Sequence, residues 1–187
     1  MTRQLDRTRR RLVVSSSIGA ALATGGLAAC TRGAADDRKL EFGSLAAAGE
    51  ELARLAQAKE LQSSAAWGWS PTLTHCAQSI EFSMSGFPEP KSKWFQHTIG
   101  SAAVAVFSWR GRMTHDRTEP IPGAPPLDPD ADPAQAMERL RASMRAFADW
   151  SKPLMPHFAY GVLSKQEYEL AHAMHLADHL SAFRAKA

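Results

Sequence analysis

The sequence predicts an all-α fold. No stretch alternates convincingly with period two, whereas apolar residues recur at helical intervals in five stretches, and proline, glycine and capping residues fall at the ends of those stretches. Four of the five are long enough to form a bundle, an architecture that places ligands where facing helices project side chains inward.

The N-terminus decides which residues belong to the working protein. Arg3, Arg7, Arg9, Arg10 and Arg11 precede Leu12 to Ala29, a weakly apolar run that ends at Cys30. That pattern reads as an export signal over residues 1–29. Thr8-Arg9-Arg10-Arg11-Leu12-Val13 resembles the twin-arginine signature, and Leu27-Ala28-Ala29-Cys30 resembles a bacterial lipoprotein box. The resemblance implies cleavage before Cys30 and lipidation of its sulfur, which would hold the protein to a membrane in the periplasm or cell envelope. As a plain membrane span the run is short of the required length of about 20 strongly apolar residues.

Charge follows from the same boundary. The chain carries 22 Lys and Arg against 19 Asp and Glu; without the five arginines and Asp6 of the signal, 17 face 18. The basic balance therefore belongs to the signal and gives no support to nucleic-acid binding. Once Cys30 is lipidated, Cys76 is the one thiol left, no internal disulfide can form, and the fold rests on its core. The 158 residues that remain suffice for one domain.

Residues 30–43 are small and charged, with Asp36-Asp37-Arg38-Lys39, and read as a flexible tether; 44–187 form the helical domain. A first helix is expected from Ser44 to Gln62, where Leu45, Leu52, Leu55 and Leu61 recur at helical intervals. Ser70-Pro71 supplies an N-cap and a proline at the first helical position for a second helix to Ser85, closed by Gly86-Phe87-Pro88. A third is expected from Lys93 to Trp109, with Trp94, Phe95, Ile99, Val104, Val106 and Phe107 as apolar bulk and Gly111 as its stop. Thr118 to Pro133 holds six of the chain's 11 prolines, which rules out regular structure and predicts an ordered surface loop able to wall a pocket. Asp132-Pro133 starts a fourth helix to Trp150. Pro153 and Pro156 then break the chain, and the capping box Ser164-Lys165-Gln166-Glu167 launches the last helix, whose patterned part runs from Tyr168 to Phe183.

That last helix carries the chemistry. His172, His175 and His179 fall within an arc of roughly 60° at 100° per residue, beside the apolar stripe of Leu176, Leu180 and Phe183. His175 and His179, four residues apart, can reach one ion, and a third imidazole from another helix would complete a three-histidine site. His75 is the natural third ligand. His172 is its rival, but His172 and His179 stand about 10 Å apart along one helix axis, too far to share an ion. On the second helix, His75 points roughly 160° from the stripe of Leu73, Ala77, Ile80 and Met84. Either that helix is buried on two sides or His75 looks into a cavity. The bland alternative is a set of hydrogen-bonded or solvated histidines with no metal. Asp178 could orient a ligand or sit solvated at the helix edge. Cys76 reads as a small buried residue rather than a nucleophile, and His97 and His115, which belong to no constellation, read as surface residues.

The ordered set His75-Cys76-Ala77-Gln78-Ser79-Ile80-Glu81-Phe82-Ser83-Met84-Ser85-Gly86-Phe87-Pro88, Pro120-Ile121-Pro122-Gly123-Ala124-Pro125, Pro156-His157-Phe158-Ala159-Tyr160-Gly161 and His172-Ala173-Met174-His175-Leu176-Ala177-Asp178-His179-Leu180 resembles the DUF1569 group of the DinB-like superfamily. The resemblance spans Leu45 to Phe183. It implies a DinB-like four-helix bundle in an up-down-down-up arrangement, with an extra short helix and the Pro-rich loop. It also implies a metal triad of His75, His175 and His179 holding a divalent ion, zinc or nickel. Characterised relatives in that superfamily include thiol-dependent S-transferases and maleylpyruvate isomerases. This chain departs from them in its export signal, since reduced small thiols are scarce outside the cytoplasm.

Two functions are therefore expected to compete. One is a metal-dependent transferase or hydrolase of a small molecule, with His157, His172 and Tyr160 as catalytic or proton-transfer candidates. The other is a non-catalytic metal- or ligand-binding envelope lipoprotein, favoured because no carboxylate lies at a spacing that nominates a general base. His157 and Tyr160 could instead pin the turn before the last helix, and His172 could hydrogen-bond within the bundle. Expected partners are the membrane, through the lipid, and a small-molecule substrate or ligand, with a homodimer as an option.

Overall fold

The computed structural model describes residues 37–186; the expected signal and lipidation site at Cys30 lie outside them. The chain is mostly helical. α1 (Leu45–Ala56), α2 (Trp69–Ser85), α5 (Pro133–Asp149) and α6 (Lys165–Leu180) are the long elements that contribute to one hydrophobic core. Between α2 and α5 run a single turn, α3 (Lys93–Phe95), a π-helical turn (Gln96–Gly100) and α4 (Ser101–Arg110). α2 packs along α5, and α6 packs against α1 and α2.

Each long helix starts for a local reason. Ser44 caps α1 by accepting from the Ala47 N–H, and Asp132 caps α5 by accepting from Ala134 and Gln135 ahead of Pro133. Ser164 and Glu167 close the capping box of α6, satisfying backbone donors in both directions. α2 begins earlier than Ser70-Pro71 suggests: its N-cap is Gly68, with no side-chain cap, and Ser70 lies buried in its first turn.

Leu52, Leu55, Leu73, Ile80, Leu140, Phe147, Leu176 and Leu180 are all at most 1% exposed. Each such side chain stabilises the fold by about 1.5–3 kcal/mol relative to exposure. α2 is the central element, with Leu73, Ala77 and Ile80 in the core while His75 and Ser79 on its other side are buried as well. The two readings of His75 are thus both realised: the helix is buried on two sides, and one of them borders a cavity.

Two expected helix ends are corrected. The first helix stops at Ala56, not Gln62, and Leu61–Ser63 forms β1, which pairs antiparallel with β2 (Phe183–Ala185) in the register Leu61↔Ala185, Gln62↔Arg184, Ser63↔Phe183. The last helix accordingly ends at Leu180, and Phe183 is buried on the strand, edge-on to Trp69 with ring centroids 5.0 Å apart. Residues 37–43, read from the sequence as tether, lie against the end of α6. The Arg38 N–H donates to the Ser181 carbonyl at 3.1 Å, the Leu40 N–H to Ser181 Oγ at 2.8 Å, and Phe42 joins the core.

Despite the apolar bulk of its segment, α4 contributes no buried residue. The segment is held instead through its start. Gln96 is buried and its Nε2 donates to the carbonyls of Lys91 and Phe158 at 3.0 and 3.2 Å. Gly100 lies so close to the 157–161 turn that a Cβ there would stand 1.9 Å from the Ala159 carbonyl oxygen. Gly100→Ala is therefore expected to cost about 1–3 kcal/mol by overpacking, although its φ of −64° suits any residue. Gly49, inside α1, is the control: its Cβ would meet only Met144 Cε, at 3.6 Å, so Gly49→Ala is expected to add about 0.5–1 kcal/mol. Thermal melts of the two variants moving in opposite directions check the pair.

Candidate metal centre

His175 and His179 project from adjacent turns of α6, and His75 faces them from α2. Ring centroids of His75 lie 5.0 Å from His175 and 4.8 Å from His179. A fourth imidazole, His115, reaches the same point from the loop after α4, with centroids 5.0 Å from both His175 and His179. One ring nitrogen from each of the four lies within 4.8 Å of the other three. The reading of His115 as a surface residue is corrected: its side chain retains 27% exposure and turns inward to the cluster. His97 is exposed, as expected.

Polar neighbours surround the cluster. Asp178 is buried, one oxygen 3.2 Å from His115 Nδ1 and the other 3.0 Å from Arg117 Nη2, which also reaches Asp37 at 2.6 Å. The Asp178 carboxylate stands beside His115 Nδ1 as an ion-pair neighbour without hydrogen-bond geometry, and the other ring nitrogen, Nε2, lies 3.2 Å from His179 Nε2 and faces the cluster. His175 Nδ1 sits 3.3 Å from Ser79 Oγ. Its Nε2 and both ring nitrogens of His75 are buried with no hydrogen-bond partner. Buried polar atoms seldom go unsatisfied, because each costs about 1–3 kcal/mol. A shared cation would satisfy His175 Nε2 and one of the two His75 nitrogens together, and two nitrogens 3.2 Å apart match the separation expected for imidazoles on one zinc at about 2.0 Å.

The electrostatics suit neutral ligands. Burial, with the neighbouring imidazoles adding, pushes His75 down to about 4 and holds His175 and His179 well below the usual histidine range. Burial also lowers His115, against the opposing pull of Asp178. All four rings offer lone pairs rather than charge at neutral pH. Trp67, in the connection between β1 and α2, covers the cluster with its ring centroid 5.0 Å from His75 and stacked 6.2 Å from His179.

Beside the imidazoles opens a cavity of about 220 Å³, walled largely by apolar side chains such as Phe95, Ile99, Met113 and Ile121. His157, Tyr160 and His172 border it, so the expected catalytic candidates share the cavity with His75, His115 and His175. Their bonds are also structural. His157 Nδ1 accepts from the Ala159 and Tyr160 N–H groups, which leaves its proton on Nε2, and Tyr160 stacks on it at 4.2 Å. His172 Nε2 lies 3.2 Å from Ser83 Oγ, whose hydroxyl donates to the Ile80 carbonyl, so His172 is the donor. Burial lowers both imidazoles to about 3 and raises Tyr160 to about 12. Cys76 belongs to the core, and burial pushes its thiol up, away from nucleophilic use. The Pro-rich loop does wall the pocket: Ile121 is buried at its edge, and Gln78 Nε2 donates to the Pro125 carbonyl at 3.0 Å.

Fold and site together define a mostly helical protein with a cluster of four imidazoles at the side of an apolar cavity. The chain belongs to the family described as "Protein of unknown function (DUF1569)", whose model matches residues 34–186. No curated protein and no solved structure matches it.

Proposed function

We propose that the protein is a divalent-metal protein of DinB-like bundle architecture that acts on a small molecule, as a metal-dependent transferase or hydrolase. The observation that carries this reading is the convergence of four imidazole nitrogens, two of them, on His75 and His175, buried and unpartnered, beside an apolar cavity. His75, His115, His175 and His179 would hold the ion, zinc or nickel. The bound ion would lower the pKa of a coordinated water or thiol and polarise a substrate oxygen. Asp178 and Ser79 flank His115 and His175, Trp67 limits water on one side, and the Nε2–H of His157 is a donor at the cavity wall. Export through the twin-arginine route and attachment through lipidated Cys30 complete the proposal; an export route for folded chains allows the metal to be loaded first.

One observation favours the second reading, a non-catalytic metal-binding lipoprotein. Four protein ligands can close a tetrahedral site, as structural zinc centres are closed, whereas catalytic zinc keeps a position open. Cobalt substitution separates the two. The visible absorption of the cobalt-loaded full chain is expected to shift on addition of azide or a small thiol, because His115, alone among the four, is carried by a loop, and its side chain retains 27% exposure. A spectrum indifferent to both additives assigns the closed site and the binding role.

A further inference from the structure

The segment from Lys91 to Arg112 presents apolar surface that the core does not use. Trp94, Ile99, Val106 and Trp109 are 69%, 52%, 47% and 86% exposed, and α4 contributes no buried residue. Exposed apolar patches of this kind mark interaction sites. The charge pattern identifies the partner. Over these 22 residues there is no Asp or Glu; Lys91 and Lys93 stand at one end, Arg110 and Arg112 at the other, with Trp94 and Trp109 just inside them. Indoles at both ends of an apolar run, flanked by cations, suit a helix lying in the boundary between water and lipid, with the rings among headgroups and the cations on anionic phosphates. A second copy fits less well, since a two-fold contact would set this acid-free stretch against itself and bring like charges together. Among the described residues no helix is long and apolar enough to cross a membrane, so contact here is with the surface.

We propose that residues 91–112 are a docking surface for an anionic lipid bilayer. The inference stands on exposure and charge, independently of the metal. Phe95, Ile99 and Ala103 of the same segment wall the histidine cavity, so docking sets that cavity beside the bilayer.

All five tryptophans, Trp67, Trp69, Trp94, Trp109 and Trp150, lie within the domain and none in residues 1–36, so tryptophan emission reports the domain and not an N-terminal anchor. The test mixes the full chain with vesicles of equal phosphatidylglycerol and phosphatidylcholine, part of the latter brominated on acyl carbons near the headgroup. Emission is expected to be quenched, and Trp94→Ser with Trp109→Ser to lose more than half of that quenching. Both positions are exposed, so the core is untouched, and circular dichroism checks the variant. Absence of quenching in the parent overturns the proposal, as does equal quenching in the variant. Self-association in vesicle-free solution that the variant abolishes would assign the face to a second copy and overturn it too.

Discussion

Replacing His175 and His179 together by alanine is expected to abolish metal retention. Full chain purified without a histidine tag, incubated with zinc or nickel and desalted, is expected to keep about one equivalent by elemental mass spectrometry, and the double variant less than a tenth of that. The size of the effect follows from the geometry. α6 supplies two of the four imidazoles from adjacent turns. Their loss leaves His75 on α2 and His115 on a loop, on separate elements, with the pair His115 Nε2···His179 Nε2 at 3.2 Å gone. Changing only a group behind a ligand costs about 10–100-fold in affinity; removing two ligands costs more. Alanine is the best helix former, and Leu176, Ala177 and Leu180 keep α6 in the core, so the variant should retain its helical dichroism. Equal metal in parent and variant sinks the metal centre, and the cluster would then be packing.

The readable parts of this fold were those in which a local signal is also the cause. Ser164 with Glu167, Asp132 before Pro133, and Gly111 in the left-handed region at φ +67° end helices by chemistry that four neighbouring residues contain. The i, i+4 histidines were legible for the same reason. Leu61–Ser63 was not: its neighbours are good helix formers, and the bonds that make it a strand come from Phe183–Ala185, some 120 residues away. His115 shows the same limit in the site. It follows α4 in a loop with no periodicity, and only tertiary placement, with Asp178 behind it, brings it to His179. Asp178, by contrast, carried a usable signal, since its angle on α6 let it orient a ligand on a neighbouring element. Trp67 had none. The apolar bulk of Lys93 to Trp109 marked a helix but not what would cover it, because hydrophobicity says that a residue prefers burial, not what buries it; Trp109 remains 86% exposed.

Acid should destabilise the domain steeply, and the burial of His157 and His172 gives the direction and the order of magnitude of the effect. Burial lowers both imidazoles to about 3 in the folded chain, against an unperturbed value of 6.5. Below pH 6.5 the unfolded chain takes up protons that the folded chain refuses. Stability is therefore complete above about pH 6.5 and falls as pH drops toward 3. Each group can remove about 1.4 kcal/mol per pH unit within that window. From pH 7.5 to 5 the two together cost roughly 4 kcal/mol, a large part of the 5–15 kcal/mol that a domain has. The structural reason is that neither ring has room for a second proton: His157 Nδ1 already accepts two backbone N–H groups, and His172 lies between Phe147 and Tyr168 with its one donor on Ser83. Urea unfolding of the metal-free chain at pH 7.5, 6 and 5 should show the midpoint moving steadily down, further than two groups require, because His75, His175 and His179 are also held neutral by burial. His172→Phe should flatten the slope by up to one proton's worth while lowering stability at pH 7.5 through the bond lost at Ser83. A midpoint that stays level between pH 7.5 and 5 would mean that these imidazoles accept protons in the folded state, and the dry, neutral histidine layer beneath the cavity would have to be abandoned.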